Sequence, residues 1–258
     1  MYNRPRIIPC LLLDNGDMVK TIGFSKPRYL GDPINAVKIF NNKGVDELCI
    51  LDRSATREGK GPDIGLLRDI ATEAFMPLSY GGGITSMEEI RKLFSVGYEK
   101  VIFNTALVKY PELIQQAVVY AGSQSIVASI DVKTDFLSRS FCFTHDGKEK
   151  TNFTPITLAK EAERLGVGEI LLNCINRDGE MRGYEINIVR SVADSVSVPV
   201  IACGGAGCLD DIKAVLTDGH AHAAAAGSFF VYYGSNRAIL ITAPNEAEYI
   251  SSGIFIEA

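Results

Sequence analysis

The sequence predicts an α/β fold, a single (βα)8 TIM barrel, on three observations. Eight short apolar runs with strand character alternate with helical patterns along 258 residues, and a barrel of this kind takes about 250. Two segment pairs repeat at one spacing. Gly82 and Gly204, each in a glycine turn after a strand, lie 122 residues apart, and so do Gly44 and Gly166, which open Gly-Val-x-Glu segments. The shared spacing indicates two similar half-barrels, about 1–122 and 123–258, within one domain 1–258. Finally, no G-x-G-x-x-G fingerprint follows the first strand, which argues against a doubly wound open sheet.

The elements follow in order. Arg6 to Leu13 is the first strand. Asp14 to Gly31 reads as a long polar loop, and loops of that length are usually functional or mobile. Asp32-Pro33 starts a helix, with Asp as N-cap and Pro at its first position, a buried face of Ile34, Val37, Ile39 and Phe40, and Gly44 as its stop. Glu47 to Asp52 is a near-continuous apolar run, as expected of a strand covered on both faces. Asp63 caps the second helix. A third strand enters the Gly81–Gly83 turn, and Ser86 with Glu89 makes a capping box for the third helix. Lys100 to Asn104 is the fourth strand, and Pro111 opens the fourth helix. The fifth strand, Ser125 to Asp131, ends in an acid, and the alternation around Asp146-Gly147 predicts a β-hairpin insertion between Lys133 and Thr151. A helix from Pro155 to Leu165, a strand from Glu169 to Asn173, a polar loop to Tyr184 and a helix to Ser195 come next. Val198 to Gly207 runs from strand into glycine turn, and Leu209 to Leu216 is the helix after it. Ala223 to Gly227 is the eighth strand, and the tail lacks a long amphipathic eighth helix.

Composition narrows the function. A net charge of −5 argues against nucleic acid, which calls for a basic face. No apolar run approaches the roughly 18 residues of a membrane span and no signal peptide is visible, so a cytoplasmic protein is expected. The six cysteines include no C-x-x-C pair and read as reduced thiols, mostly in the core. His145, His220 and His222 make no metal set, and neither a metal nor another cofactor is expected. Adjacent glycines between a strand and a helix bring backbone N–H groups and a helix N-terminus toward an anion, which makes the turns at Gly83 and Gly205 candidate phosphate sites.

The set Arg6-Ile7-Ile8-Pro9-Cys10, Asp46-Glu47-Leu48, Gly81-Gly82-Gly83-Ile84, Asn104-Thr105-Ala106, Ser129-Ile130-Asp131, Asn176-Arg177-Asp178-Gly179 and Gly204-Gly205-Ala206-Gly207 resembles the cyclase subunit family of imidazole glycerol phosphate synthase. The resemblance runs from Arg4 to about Phe230. It implies a (βα)8 barrel of two halves and a glutaminase partner at the N-terminal face, whose ammonia crosses to a site at the C-terminal face. It implies an anionic, two-ended phosphorylated ligand held by Gly83, Asn104 and Thr105 on one side and Gly205, Gly227 and Ser228 on the other, with Gly179 contributing. It assigns Asp52, Asn173, Asp178 and Cys203 to the substrate pocket. It also implies a charged ring of Arg6, Glu47, Lys100 and Glu169 around an ammonia entrance, with the partner near Glu99 and Gln124.

The family's acid–base pair is incomplete. The resemblance gives Asp131 one catalytic carboxylate and retains Lys20, but Leu12 stands where the other aspartate belongs. Leucine neither donates nor accepts a proton. Asp14 lies two residues on, some 6–7 Å along a strand, too far to replace a group that needs hydrogen-bond reach. Asn173, Cys174 and Asn176 replace the family's usual Thr, Ser and Asp, and Cys203 its Ser. The run Arg237 to Pro244 is similar to a paralogous branch linked to acetamidino modification of surface-glycan sugars, where the barrel accompanies a glutaminase-like subunit and an ATP-dependent amidotransferase. Three readings follow: a barrel subunit of such an amidation system, a histidine-pathway cyclase that tolerates Leu12, and a non-catalytic scaffold that passes ammonia.

Overall fold

The computed structural model describes residues 4–256; Met1 to Asn3 and the last two residues of the expected domain lie outside it. Eight parallel strands form the barrel: β1 Arg6–Asp14, β2 Leu48–Asp52, β3 Leu78–Gly81, β4 Lys100–Phe103, β5 Ile126–Thr134, β6 Glu169–Cys174, β7 Val200–Cys203 and β8 Ala223–Ala226. Each is hydrogen-bonded to the next, β8 pairs with β1 and β5 with β6, so the sheet closes on itself. The outer layer holds α1 Pro33–Lys43, α2 Ile64–Glu73, α3 Met87–Ser95, α4 Pro111–Ala121, α5 Pro155–Leu165, α6 Ile186–Ala193 and α7 Leu209–Thr217. Among the described residues after β8, a four-residue helical turn, Ser228–Val231, and a six-residue helix, α8 Glu246–Ser251, complete the chain's helices.

Local chemistry sets these boundaries. The Asp32 carboxylate accepts the Asn35 N–H at 2.9 Å, and Gly44 ends α1 in the left-handed region. The buried face of α1 is Ala36, Val37 and Phe40, whereas Ile34 and Ile39 are only half-buried at its edges. Ser86 and Glu89 complete the capping box of α3. Outward strand side chains pack against Phe40, Leu67, Ile90, Ile114, Leu158, Val189 and Ile212 of the helices. A second, smaller core fills the barrel axis with Ile8, Cys10, Cys49, Ile102, Val127, Leu171, Ile201, Cys203, Ala223 and Ala225. All six thiols are free, and Cys208 alone is exposed.

Asp14 to Gly31 is not an open loop. Strands Asp17–Ile22 and Ser25–Gly31 pair antiparallel, the first also pairing with the end of β1. Met18, Val19, Lys20 and Thr21 are buried while Asp17 and Ile22 are exposed, so burial rather than alternation in the sequence holds this hairpin. β5 runs on to Thr134 and pairs antiparallel with Ser140–Thr144, with Asp131 opposite Phe143, and Phe143 and Thr144 pair in turn with Glu149–Lys150. Both hairpins rise from strand ends at the C-terminal mouth. Among the described residues no helix is long and apolar enough to cross a membrane.

Candidate active site

The C-terminal mouth opens into a chamber of about 340 Å³, lined by residues from the ends of all eight strands. Cys10 and Leu12 of β1, Leu51 of β2, Ile102 of β4 and Cys203 of β7 form its apolar floor. Asp131 lines it from β5, next to its register partner Asn173 of β6. Burial first, then the negative charges of Asp146 and Asp178, pushes the Asp131 carboxyl up to about 8. This shift favours the protonated form near neutral pH, which suits an acid better than a base. Leu12 occupies the same chamber and offers no partner for proton transfer. Asp14 is outside the chamber wall, with its carboxylate held by Arg53 (3.2 Å) and Arg57 (2.8 Å).

Lys20 and Asp178 are brought together across 158 residues of chain. Lys20 Nζ donates to Asp178 Oδ1 at 2.5 Å, and Thr21 Oγ1 donates to Oδ2 at 2.7 Å. The pair fixes the first hairpin onto the turn after β6. Asp52 lines the chamber, but its Oδ1 accepts from Ser54 N–H, Ser54 Oγ and Ala55 N–H and so caps the short helix Arg53–Arg57. Cys203 sits against Cys10; that contact and then burial hold its thiol well above the ordinary range, so it stays protonated.

The glycine turns bring backbone to the chamber wall. A Cβ on Gly82 would overlap the Asp52 carbonyl, and one on Gly205 the Gly183 carbonyl; both residues have positive φ, 142° and 125°. On the β3–β4 side, Gly83 N–H is already given to Thr56 Oγ1 (3.1 Å) and the Asn104 amide to the carbonyls of Ser129 and Phe143. Thr105 opens the short helix Thr105–Lys109 and accepts the N–H of His145 at 3.2 Å. On the β7–β8 side, Gly227 and Ser228 begin the turn Ser228–Val231, and the buried Ser228 Oγ has no protein partner. Gly179 lines the chamber and packs on the carbonyl of Thr21. Lys109, Lys60 and Arg53 also line the mouth and add cationic donors that the sequence did not single out, and His145 lines it beside them. The sequence weighs His145 only as a metal ligand, and the second hairpin brings it beside Thr105.

At the other end of the barrel, Arg6, Glu47, Lys100 and Glu169 form a closed circuit. Arg6 meets Glu47 at 2.7 Å and Glu169 at 2.6 Å, while Lys100 meets Glu169 at 2.9 Å and Glu47 at 3.3 Å. Each cation touches both anions, which satisfies charges that would be costly if buried alone. Above the ring lies a cavity of about 10 Å³ bounded by Ile8, Cys49, Ser79, Ile102, Val127, Leu171, Ile201 and Ala225, the space of about one water. Glu47 and Glu169 of the ring also border this cavity, and Ile102 borders both it and the chamber. No group of three or more His, Cys, Asp or Glu among the described residues is placed to hold a metal ion.

Fold and site together define a (βα)8 barrel with a chamber at the C-terminal mouth and a charge-ringed opposite end. The model of the histidine biosynthesis protein family matches residues 6–236, and the chain belongs to that family, among its HisF-like members. It is 46% identical over 246 residues to a Leptospira interrogans protein named "Putative imidazole glycerol phosphate synthase subunit HisF", covering 95% of this chain and 97% of that one. A Pseudomonas aeruginosa protein named as such a subunit, hisF2, is 46% identical over 242 residues, 94% of this chain and 96% of its own. A Vibrio vulnificus protein named as subunit hisF3 is 43% identical over 246 residues, 95% of each chain.

Proposed function

We propose that this chain is the barrel subunit of a glutamine-dependent amidotransferase system. In this reading it receives ammonia from a glutaminase subunit seated over the Arg6–Glu47–Lys100–Glu169 end, near Glu99 and Gln124. Its chamber holds a phosphorylated or nucleotide-sugar-type ligand, and an ATP-dependent amidotransferase completes acetamidino modification of a surface-glycan sugar. The observation that carries the reading is Leu12. It lines the chamber with Asp131, so one acid faces the ligand where ring closure calls for an acid and a base. The closed ring and the small cavity above it support transfer of ammonia as the retained task. The numbered names hisF2 and hisF3 of two relatives are in keeping with a copy apart from a first one.

A histidine-pathway cyclase is the second reading, favoured by the family, by the relatives' names and by the preserved Asp131 and Lys20–Asp178 pair. Asp131 would then have to serve alone as acid and base. In a third reading the barrel does no chemistry and only passes ammonia. Turnover of the family's imidazole precursor with added ammonium salt separates the first two, because free ammonia bypasses the partner. Under the first reading turnover is absent or lowered by about 10²–10⁴-fold; ordinary rates of about 1 s⁻¹ or more assign the chain to the second. Leu12→Asp restores turnover if the rest of the site is intact.

A further inference from the structure

The first hairpin reaches over the chamber and ends in Gly23 and Phe24, both in the left-handed region with φ of 57° and 59°. Phe24 lines the chamber. Its ring lies against the turn of the second hairpin, where a Cβ on Gly147 would come within 3.0 Å of it. A bulky residue at positive φ persists only where its surroundings fix it. Two groups do so. Asp178 takes the Gly23 N–H on its carbonyl (2.9 Å) and the Phe24 N–H on its carboxylate (3.2 Å). Arg53 is the other. Its guanidinium donates to the Phe24 carbonyl (3.1 Å), to Asp14 (3.2 Å) and to Asp146 (2.6 and 3.3 Å).

One side chain thus joins the end of β1, the tip of the first hairpin and the turn of the second. The contact is enclosed: the side chains of Arg53 and Asp146 are 9% and 7% exposed. The two carboxylates are not equivalent. Asp14 is also held by Arg57 at 2.8 Å, whereas Arg53 is the one donor to Asp146 among the described hydrogen bonds. Asp146 and its neighbour His145 are themselves at positive φ, 57° and 52°, so the turn that Arg53 grips is a strained one. A planar fork with several donors suits this three-way junction, and the single ammonium of lysine could reach only part of it.

We infer that Arg53 is a positioning residue that straps the first hairpin down over the chamber, with Phe24 as the cover, and that parting of Arg53 from Asp146 opens the mouth. Asp14 stays with β1 and Arg57 when the strap lifts, so the hairpin tip and the second hairpin separate from each other while the barrel is unchanged. The inference depends on these contacts alone and holds under each of the functional readings above.

Hydrogen–deuterium exchange on the full chain, followed by peptide mass spectrometry, tests it with Arg53→Met and Arg53→Lys. In Arg53→Met the amides of residues 22–26 exchange at least about tenfold faster, while those of β5 stay within about twofold of the parent. Arg53→Lys keeps the charge and recovers part of the protection. Unchanged exchange at 22–26, or an equal rise throughout β5, overturns the inference. Should Arg53→Met not fold, Asp146→Asn is read in the same way: it removes the charge and one of the two oxygens that Arg53 grips and leaves Arg53 with Asp14, and a rise confined to the hairpin tip supports the strap whereas no rise overturns it.

Discussion

Lys20 Nζ lies 2.5 Å from Asp178 Oδ1, and both side chains are buried although 158 positions separate them in the chain. The pair supports both sides of the mouth, since Asp178 also takes Thr21 Oγ1 and the Phe24 N–H. Removing one partner of such a pair strands the other charge. Asp178→Asn is therefore expected to cost about 3–5 kcal/mol, read as a lower urea midpoint. Lys20→Met with Asp178→Asn together is expected to lose less than the sum of the two single losses.

Asp131 gives the protein a specific pH dependence. Burial and two nearby carboxylates raise its folded-state pKa to about 8, above its value in the unfolded chain. Between about pH 4 and pH 8 the folded state binds the extra proton, so this group's contribution falls as pH rises, by about 1.4 kcal/mol per unit at most. Above about 8 the loss is complete and constant. Asp131→Asn removes it. Urea unfolding at pH 5, 6.5 and 8 should show the variant gaining on the parent at each step; parallel curves would mean that Asp131 is ionised throughout.

Ser228 separates ligand binding from stability. Its buried hydroxyl has no protein partner, so Ser228→Ala removes an unsatisfied group and leaves the melting temperature unchanged or slightly raised. If the β7–β8 turn holds phosphate, the same change weakens inorganic phosphate binding by roughly tenfold, the worth of one hydrogen bond to a charged group. Titration calorimetry on both proteins checks this, and equal affinities remove Ser228 from the site.

Lys100 tests the axial route. It bonds both Glu47 and Glu169, so Lys100→Ala leaves two anions to Arg6 alone. With the partner glutaminase present, product formation from glutamine should fall more than formation from free ammonium salt. Equal losses in both assays count against a route through the ring.

Much of the fold was legible because its signals are local. A charge at the head of a strand reads by itself as a solvent-facing end, so the ring of Arg6, Glu47, Lys100 and Glu169 came from the family resemblance, and the structure brings these four into contact. The significance of Leu12 came from the same resemblance, aligned through Ile7 to Cys10 and Lys20. The first hairpin was not legible, because its turn uses Phe24 at positive φ instead of a paired glycine–asparagine signal. Arg53 gave no signal either. An arginine after a strand reads as a surface charge, and its partners Asp14 and Asp146 are 39 and 93 positions away. The upward shift of the Asp131 carboxyl follows first from its burial and then from the charges of Asp146 and Asp178, a setting that no local pattern encodes.

The narrow space above the ring would set the terms of the proposed ammonia transfer. A cavity of about 10 Å³ accommodates about one small molecule, so ammonia taking that route would move in single file. Two molecules could not exchange places there, and each arrival would be metered by the departure of the one in front.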